Sequence, residues 1–184
     1  MRRKLNGDIV SFTNAQRVLS FLTGDSYREF LALEIQKATG LSKAGIYRAL
    51  DELIYHQLIQ RNKRGRFVLY SAIADDCVLR QFKVLKTTIF LKKLVQQLQA
   101  SSRKIVFFGS AARGEDRKDS DLDVLIVSRD PEAAEKIISR FKSKRKIQPV
   151  IKTSTELIQM EEKNKEFFKE INSGIVLWEE GDDR

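Results

Sequence analysis

The decisive stretch reads Lys104-Ile105-Val106-Phe107-Phe108-Gly109-Ser110-Ala111-Ala112-Arg113-Gly114, and Ser120-Asp121-Leu122-Asp123-Val124-Leu125-Ile126-Val127 follows it. In the first stretch an apolar strand stops at a turn of small residues that can open a helix. In the second, the alternation of a strand places Asp121 and Asp123 on one face. Two carboxylates on one face can hold Mg²⁺ (or Mn²⁺), and the backbone N–H groups of the turn can bind a triphosphate. The pattern predicts metal and phosphate sites that adjoin.

These residues resemble the polymerase-beta-type nucleotidyltransferases, specifically their small single-domain members, whose signature is Gly-Ser, a spacer and Asp-x-Asp. The resemblance implies that Asp121 and Asp123 are catalytic and ligate the metal. It also implies that Gly109 and Ser110 bind the β- and γ-phosphates of ATP or another nucleoside triphosphate. An acceptor hydroxyl would attack the α-phosphate and release pyrophosphate. Two neighbours in the same motifs are further phosphate-binding candidates, namely Arg113, which alternatively pairs with Glu115 or Asp119, and Ser120.

Active members of this family usually carry a third carboxylate on a later strand. The candidate strand is Lys146 to Lys152, and Gln148 or a neighbour stands where an Asp or Glu is expected. Glutamine cannot take a proton or add charge to a metal site. Glu156 follows the helix cap Thr153-Ser154-Thr155, so we expect it to face elsewhere. Nucleotide binding is therefore expected, and whether the chain is an active enzyme stays open. The alternative for Asp121 and Asp123 is a pair of solvated strand-end residues.

The first half reads as short helices followed by a hairpin. We expect one helix from Thr13 or Asn14, a second from Tyr27 to Thr39 and a third capped by Ser42. A basic turn at residues 62–66 then separates two strands, 58–61 and 67–70. This order resembles the winged helix-turn-helix family over about residues 13–74. The resemblance implies binding of double-stranded DNA through the third helix and the wing, with contacts from Ser42, Lys43, Tyr47, Arg48, Lys63, Arg64 and Arg66. The alternatives are a protein-docking module and a merely solvated basic turn.

Residues 75–102 contain many apolar residues and no proline or glycine, which predicts a long connecting helix. Its apolar face is wide enough to pack against both domains or to form a homodimer. The expected fold class is α+β, with a winged helix domain at 1–74, the connecting helix at 75–102 and a mixed-sheet nucleotidyltransferase domain at 103–184. In that last domain we expect a helix from Pro131 to Lys144, further helices over 155–172 and a disordered acidic tail at 179–183.

Composition bounds the remaining possibilities. The chain has 184 residues and a net charge of +9, which favours a polyanionic partner such as nucleic acid or a nucleotide. A lone Cys77 and a lone His56 argue against a zinc site and against Ser-His-Asp chemistry. Without an apolar run of membrane length or a leader pattern, we expect a cytoplasmic protein with no membrane partner.

Together these features predict a DNA-binding protein, a transcriptional regulator, whose second domain binds magnesium and a nucleotide. That domain would transfer a nucleoside monophosphate to an unidentified acceptor. Two alternatives are kept. One is an enzyme whose winged helix binds a protein or RNA acceptor. The other is a catalytically inactive nucleotide sensor, which the missing third acid favours.

Overall fold

The computed structural model describes Val10 and residues 13–181. The chain divides into two compact units, Met1–Arg80 and Gln81–Arg184. Helices and strands are mixed in both, so the predicted α+β class is confirmed. In the described part of the chain, no helix has the combination of length and apolar character that crossing a membrane requires.

The described residues of the first unit form three complete α-helices and a small antiparallel sheet. The helices are α1 (Asn14–Leu22), α2 (Ala32–Thr39) and α3 (Lys43–Tyr55), and the strands are β1 (Phe30–Leu31), β2 (Ile59–Arg64) and β3 (Phe67–Ala72). Strand β3 lies between β1 and β2. The buried faces of the three helices supply the apolar core, with Val18, Leu22, Ile35, Ile46 and Leu50 among its members.

The start of the second helix differs from the sequence prediction. Phe30 and Leu31 belong to β1, where they pair with Tyr70 and Leu69 of β3, so the prediction of a helix from Tyr27 was wrong. The Glu34 carboxylate accepts a hydrogen bond from the Leu31 backbone N–H at 2.7 Å and so marks the true helix start. Apolar periodicity alone could not separate these residues from the helix, because a two-residue strand leaves no period of its own.

The hairpin is longer than the sequence suggested. Strand β2 continues through Lys63 and Arg64, and β3 begins at Phe67, so the connection consists of Gly65 and Arg66 only. Gly65 has φ of +60°, a value that glycine adopts without steric cost. The prediction of a turn over residues 62–66 was therefore wrong in its bounds. Lys63 and Arg64 lie on a strand, and Arg66 lies in the turn.

The helix α4 (Cys77–Leu98) runs through the division between the two units. Within the second unit its residues Leu91, Leu94 and Leu98 are buried in the same core cluster as the sheet residues Ile105 and Phe107. The C-terminal half of α4 is therefore an integral part of the second unit's core.

The second unit is built on a four-stranded mixed sheet with the order β6-β5-β4-β7. The strands are β4 (Ser102–Phe108), β5 (Leu122–Ser128), β6 (Ile147–Lys152) and β7 (Ile175–Glu179). Strand β5 pairs parallel with β6 and antiparallel with β4, and β7 is antiparallel to β4. The edge strand β6 carries Pro149. Besides α4, the helices are α5 (Gly109–Ala112), α6 (Pro131–Arg140), α7 (Ser154–Lys163) and α8 (Lys165–Asn172).

The two faces of this sheet bury different residues. Leu122, Val124 and Ile126 belong to a cluster with residues of α4 and α6. The alternate residues of β5, Leu125 and Val127, belong to a second cluster with Ile171 of α8 and with Leu157 and Met160 of α7. The strand alternation that the sequence predicts is therefore present, and each face is covered by its own pair of helices.

Two terminal predictions in this half need correction. Helix α6 ends at Arg140 and not at Lys144, because Phe141 leaves the helix with extended dihedrals and five cations within residues 140–146 would repel each other on one helix surface. Glu179, predicted as the start of a disordered tail, lies in β7 and pairs with Lys104 at 2.9 Å. Of that predicted tail, residues 182 and 183 lie outside the described part of the chain.

Candidate nucleotide site and candidate nucleic-acid interface

Asp121 and Asp123 lie at the edge of the sheet, where β5 begins. Asp121 directly precedes the strand and Asp123 is its second residue, while Leu122 between them is fully buried. Leu125 and Val127 pack on the side of α7 and α8, so the strand alternation puts both carboxylates on that side. Both are partly exposed, and a ligand can reach them.

Gly109 brings the Gly-Ser turn into contact with Asp123. Strand β4 ends at Phe108, which is the register partner of Asp123. Gly109 then adopts φ of +76°, and a Cβ at this position would lie 2.3 Å from Oδ2 of Asp123. Only glycine fits so close an approach. The turn and the carboxylate pair, which are separated in the sequence, therefore form one site. The helix α5 that opens there has only four residues.

The electrostatics of the site are dominated by carboxylates. Burial raises the pKa of Asp123, and the negative charges of Glu170 and Asp121 raise it further, while Arg113 acts in the opposite direction. Asp121 itself accepts a hydrogen bond from the Lys146 ammonium at 2.9 Å. The side chain of Lys146 is 70% exposed, so this ion pair is weak. A metal ion can therefore replace the lysine at Asp121, and an anion can replace Asp121 at the lysine.

Arg113 links the turn to helix α8. Its Nε donates to the Glu115 carboxylate at 2.9 Å, and its Nη1 lies 3.6 Å from Oε1 of Glu170. The hydrogen bond to Glu115 is the main reason that the pKa of Arg113 is raised. The pairing with Glu115 was one of the two outcomes that the sequence left open for Arg113. In this structure the guanidinium balances carboxylates that surround the candidate phosphate site.

Glu170 is the site residue that sequence reasoning missed. It is distant from the motifs in the chain, and helix α8 brings it to the site. Gly174, directly after α8, is close enough to β4 that a Cβ would lie 2.7 Å from the Phe107 carbonyl oxygen. Phe167 of α8 also packs edge-on against Phe108, with ring centroids 5.8 Å apart. Gly174 before the last strand was the signal that the sequence offered for a close approach of α8 to the sheet. It did not indicate which residue of that helix would face the carboxylates.

A buried ion network fixes the loop that leads to Asp121. Lys83 of α4 donates to the Asp116 carbonyl oxygen at 2.6 Å, and its ammonium lies 3.0 Å from Oδ1 of Asp116 without hydrogen-bond geometry at that oxygen. Arg145 donates to Oδ2 of Asp116 at 2.7 Å and to the Ser120 carbonyl oxygen at 2.8 Å. The Ser120 hydroxyl accepts from the Arg117 backbone N–H at 2.9 Å. Ser120, a predicted phosphate ligand, thus has a structural role in this loop.

Gln148, a candidate for the place of the expected third carboxylate, lies on the edge strand β6. In the parallel pairing of β5 with β6, Gln148 is the register partner of Asp123. Glu156 faces its own helix cap, since its carboxylate accepts from the Thr153 backbone N–H at 2.7 Å. Among the described residues, no three side chains of the types that ligate metals are grouped closely enough to hold an ion. Magnesium is commonly bound by one or two carboxylates together with substrate phosphates. Asp121 and Asp123 fit this arrangement, in which two carboxylates and the phosphates of a substrate share the ion.

The candidate DNA-binding residues of the first unit lie at its surface. Lys43, Tyr47 and Arg48 are exposed on α3, and Ser42 caps that helix by accepting from the Gly45 backbone N–H at 3.2 Å. Lys63, Arg64 and Arg66 are exposed on the hairpin. Two of the hairpin cations already have contacts: Arg64 pairs with Glu29 at 2.8 Å, and Arg66 stacks on Phe67 at 5.1 Å. The exposed Arg61 of β2 is an additional cation that the sequence analysis did not select.

Comparisons with known proteins concern the second unit. Residues 89–176 match the family model of the nucleotidyltransferase domain, which supports such a domain in this part of the chain. No curated protein matches the sequence. Among solved structures, a proposed nucleotidyltransferase from Sulfolobus solfataricus aligns over 54% of this chain and 86% of its own, with 17% identity and a TM-score of 0.39.

Proposed function

We propose that the second unit binds a nucleoside triphosphate with Mg²⁺ or Mn²⁺ and transfers a nucleoside monophosphate to an acceptor hydroxyl. The observation that carries this proposal is the contact of Gly109 with Asp123, which joins the Gly-Ser turn and the carboxylate pair into one site. The nucleotidyltransferase family model covers the same residues. ATP or another nucleoside triphosphate is the proposed substrate, with Gly109, Ser110 and Arg113 as candidate phosphate contacts.

Asp121 and Asp123 would hold the metal ion together with phosphate oxygens of the nucleotide, and the ion would supply positive charge against the transferred phosphoryl group. For phosphates to enter, Arg113 would exchange Glu115 or Glu170 for a phosphate oxygen. That exchange is accessible because both ion pairs are exposed to solvent and are therefore weak.

In the proposed step the acceptor oxygen forms a new bond to the α-phosphorus. The bond from that phosphorus to the oxygen bridging to the β-phosphate breaks, and pyrophosphate leaves with the electron pair. The hydroxyl proton passes to solvent, since Gln148 cannot accept it. We therefore expect slow turnover that rises with pH, because an alkoxide is a better nucleophile than a hydroxyl group.

The first experiment uses labelled nucleoside triphosphates with magnesium or manganese and a cell extract as the source of acceptor. Label transferred to an acceptor, with pyrophosphate released, is the expected result for the full chain. Asp121→Asn should abolish transfer, whereas Asp119→Asn, which changes an exposed carboxylate of the preceding loop, should leave it intact. Absence of any metal-dependent nucleotide binding by the full chain would overturn the proposal.

A second candidate function is nucleotide sensing without catalysis. The observation that favours it is Gln148 beside Asp123, where the family usually places an acid. Tight binding of a magnesium nucleotide without transfer to any acceptor is its expected result. Restoring the acid with Gln148→Asp should then create or increase transfer, and an unchanged rate would argue that the acid is not what limits the site.

For the first unit we propose a winged helix that binds double-stranded DNA. The support is the order of its elements, with α2, a short turn and α3 followed by the β2–β3 hairpin, and the exposed cations on α3 and the hairpin. Contacts of Lys43, Arg48 and Lys63 with phosphates would make binding salt-dependent. Together with nucleotide binding in the second unit, this makes a transcriptional regulator the proposed role.

The competing role for the first unit is recognition of a protein or RNA acceptor. Exposed Tyr47, with 44% of its surface accessible, and exposed Leu33 border a small cavity of about 260 Å³ between α2 and α3, a surface that a protein partner could also use. Binding to double-stranded DNA that weakens in Arg48→Ala supports the regulator. If DNA does not bind while transfer still depends on Asp121, the first unit serves the acceptor instead.

A further inference from the structure

Residues 140–146 form a loop of unusual charge next to the candidate site. This basic loop reads Arg140-Phe141-Lys142-Ser143-Lys144-Arg145-Lys146 and contains no acidic residue. It begins where α6 ends and leads directly into β6. Its last residue, Lys146, contacts the Asp121 carboxylate at 2.9 Å. The loop therefore ends with a cation at the carboxylate pair, and the exposed Lys142 and Lys144 precede that cation in the chain.

The loop is anchored, because its residues alternate between inward and outward positions. Phe141 packs edge-on against Phe90, with ring centroids 5.7 Å apart. The Ser143 hydroxyl accepts from the Arg145 backbone N–H at 3.2 Å. Arg145 points inward to the buried Asp116. The residues between these anchors, Lys142 and Lys144, are exposed. Their positions are thus set by the protein before any partner binds.

The exposed cations of the loop are not neutralised by the protein. Asp116 is paired with Lys83 and Arg145, and Asp121 is paired with Lys146. In the part of the chain that the structure describes, Arg140, Lys142 and Lys144 enter no ion pair. On the other side of the carboxylate pair, Glu115 and Glu170 surround Arg113. The charges around the site are therefore unevenly distributed. Carboxylates lie toward α8, and unpaired cations lie toward β6.

We propose that the basic loop binds the phosphates of a single-stranded nucleic acid and thereby presents the strand's terminal hydroxyl group to the nucleotide site. Lysine ammonium groups bind phosphates as point charges. An acidic protein is the less suitable partner, because protein interfaces centre on aromatic and apolar residues and are depleted in lysine, whereas the loop exposes no large apolar side chain.

The single strand is preferred to a duplex because a flexible end can bring its hydroxyl to Asp121 while its phosphates contact Lys142 and Lys144. This choice rests on the proposed transfer function, since it identifies the acceptor of that reaction. The binding itself does not depend on catalysis and is measured without nucleotide.

The test measures the affinity of the full chain for a fluorescein-labelled oligouridylate by anisotropy, at several salt concentrations. The test variant is Lys142→Gln/Lys144→Gln. The matched control is Lys92→Gln/Lys93→Gln, which removes the same charge from exposed positions on α4 of the same unit. Both pairs are exposed and neither enters an ion pair among the described residues, so folding should persist in both variants.

We expect the loop variant to bind at least several-fold more weakly than the control, and the slope of log affinity against log salt to fall by about 1.4, since each phosphate contact to a single strand contributes roughly 0.7. Equal losses in the two variants would mean that only net charge matters and would overturn the proposal. So would equal binding of a polyglutamate peptide, or a larger loss for duplex DNA than for the single strand.

Failure of this proposal is separable from failure of the proposed function. Binding of a manganese nucleotide is measured on the same samples, and it should be equal in the full chain and the loop variant. If the nucleotide binds but the oligouridylate does not, the basic loop is not an acceptor site and the nucleotide site stands. If the oligouridylate binds through the loop but no nucleotide binds, the loop is a nucleic-acid site and the transfer function fails.

Discussion

The two units place their charged side chains in different ways. In the first unit, Arg64 of the hairpin pairs with Glu29 while 72% of the arginine side chain stays exposed. In the second unit, Lys83 and Asp116 form an ion pair in which the side chains are only 9% and 7% exposed. The first arrangement leaves cations available to a partner. The second holds a loop in one position.

This difference separates two kinds of function. A surface that binds a polyanion depends on how many cations it exposes, and each of them contributes modestly. A site that positions two carboxylates depends on geometry, and a buried charge that loses its partner is costly. Removal of one charged side chain should therefore change the free energy of unfolding by different amounts in the two units.

The largest effect is expected from Asp116→Ala. It would leave Lys83 buried and Arg145 partly buried without their carboxylate, at a cost of about 3–5 kcal/mol in the free energy of unfolding of the second unit. Arg64→Ala, which breaks an exposed pair in the first unit, should cost about 1 kcal/mol or less. Urea unfolding of the full chain measures both. Similar costs for the two variants would remove the distinction between the units.

The next effect compares two glycines of positive φ. Gly109→Ala combines that backbone strain with a Cβ in contact with Asp123, so we expect a loss of about 2–4 kcal/mol and loss of nucleotide binding. Gly65→Ala has the same sign of φ but open space around it, and only the strain of about 1–2 kcal/mol should remain. Thermal unfolding and nucleotide titration provide the two measurements. Retained nucleotide binding in Gly109→Ala would show that the close contact is not required.

A smaller and salt-dependent effect is expected in the first unit. Arg48→Ala/Lys63→Ala should reduce the slope of log DNA affinity against log salt by about 1.8, because each phosphate contact to a duplex contributes roughly 0.9. Lys37→Ala, an exposed cation on α2, is the control and should change the slope little. The measurement is fluorescence anisotropy with a labelled duplex. An equal change in the control would assign binding to net charge and not to α3 and the hairpin.

The smallest effect concerns pH. Metal and nucleotide binding needs the ionised Asp123 carboxylate, whose pKa is raised. Binding should therefore be complete above that pKa and be lost as pH falls through it. The loss should occur at a higher pH than for an ordinary aspartate. Glu170→Gln removes one cause of the raised pKa, so the loss should move to lower pH, though burial remains as the larger cause. Glu166→Gln on the same helix is the control. Titration of manganese-nucleotide affinity against pH should show no shift for it, and an upward shift in Glu170→Gln would contradict this electrostatic account.

Local patterns in the sequence were enough to predict the strands around the carboxylate pair. The alternation of Asp121, Leu122 and Asp123 predicted one face for both acids, and the α+β class with a mixed sheet is confirmed. The nucleotidyltransferase domain is supported by the family model. Gln148 or a neighbour was placed near the carboxylate pair by the resemblance to the family and not by a local pattern, and the structure pairs Gln148 with Asp123.

Contacts between distant segments could not be predicted in the same way. Glu170 reaches the site because Gly174 and Phe167 set the position of α8 against β4, and no local pattern encodes that position. The network of Lys83, Asp116 and Arg145 joins three segments that are far apart in the chain. The end of α6 was missed because its apolar period continues to Phe141 while like charges accumulate beyond it. DNA binding, the homodimer and cytoplasmic location stay predictions.

Pro149 on the edge strand β6 has a consequence for how the protein behaves at high concentration. An exposed strand edge offers unpaired N–H and C=O groups to any other extended chain, and proteins commonly interrupt such edges. Proline has no N–H group and is tolerated on an edge strand where its nitrogen faces solvent, so we expect Pro149 to interrupt the row of donors on the open edge of β6. The sheet should therefore resist growth by addition of a further strand on the side next to the carboxylate pair, which would keep that entrance open even in a crowded solution.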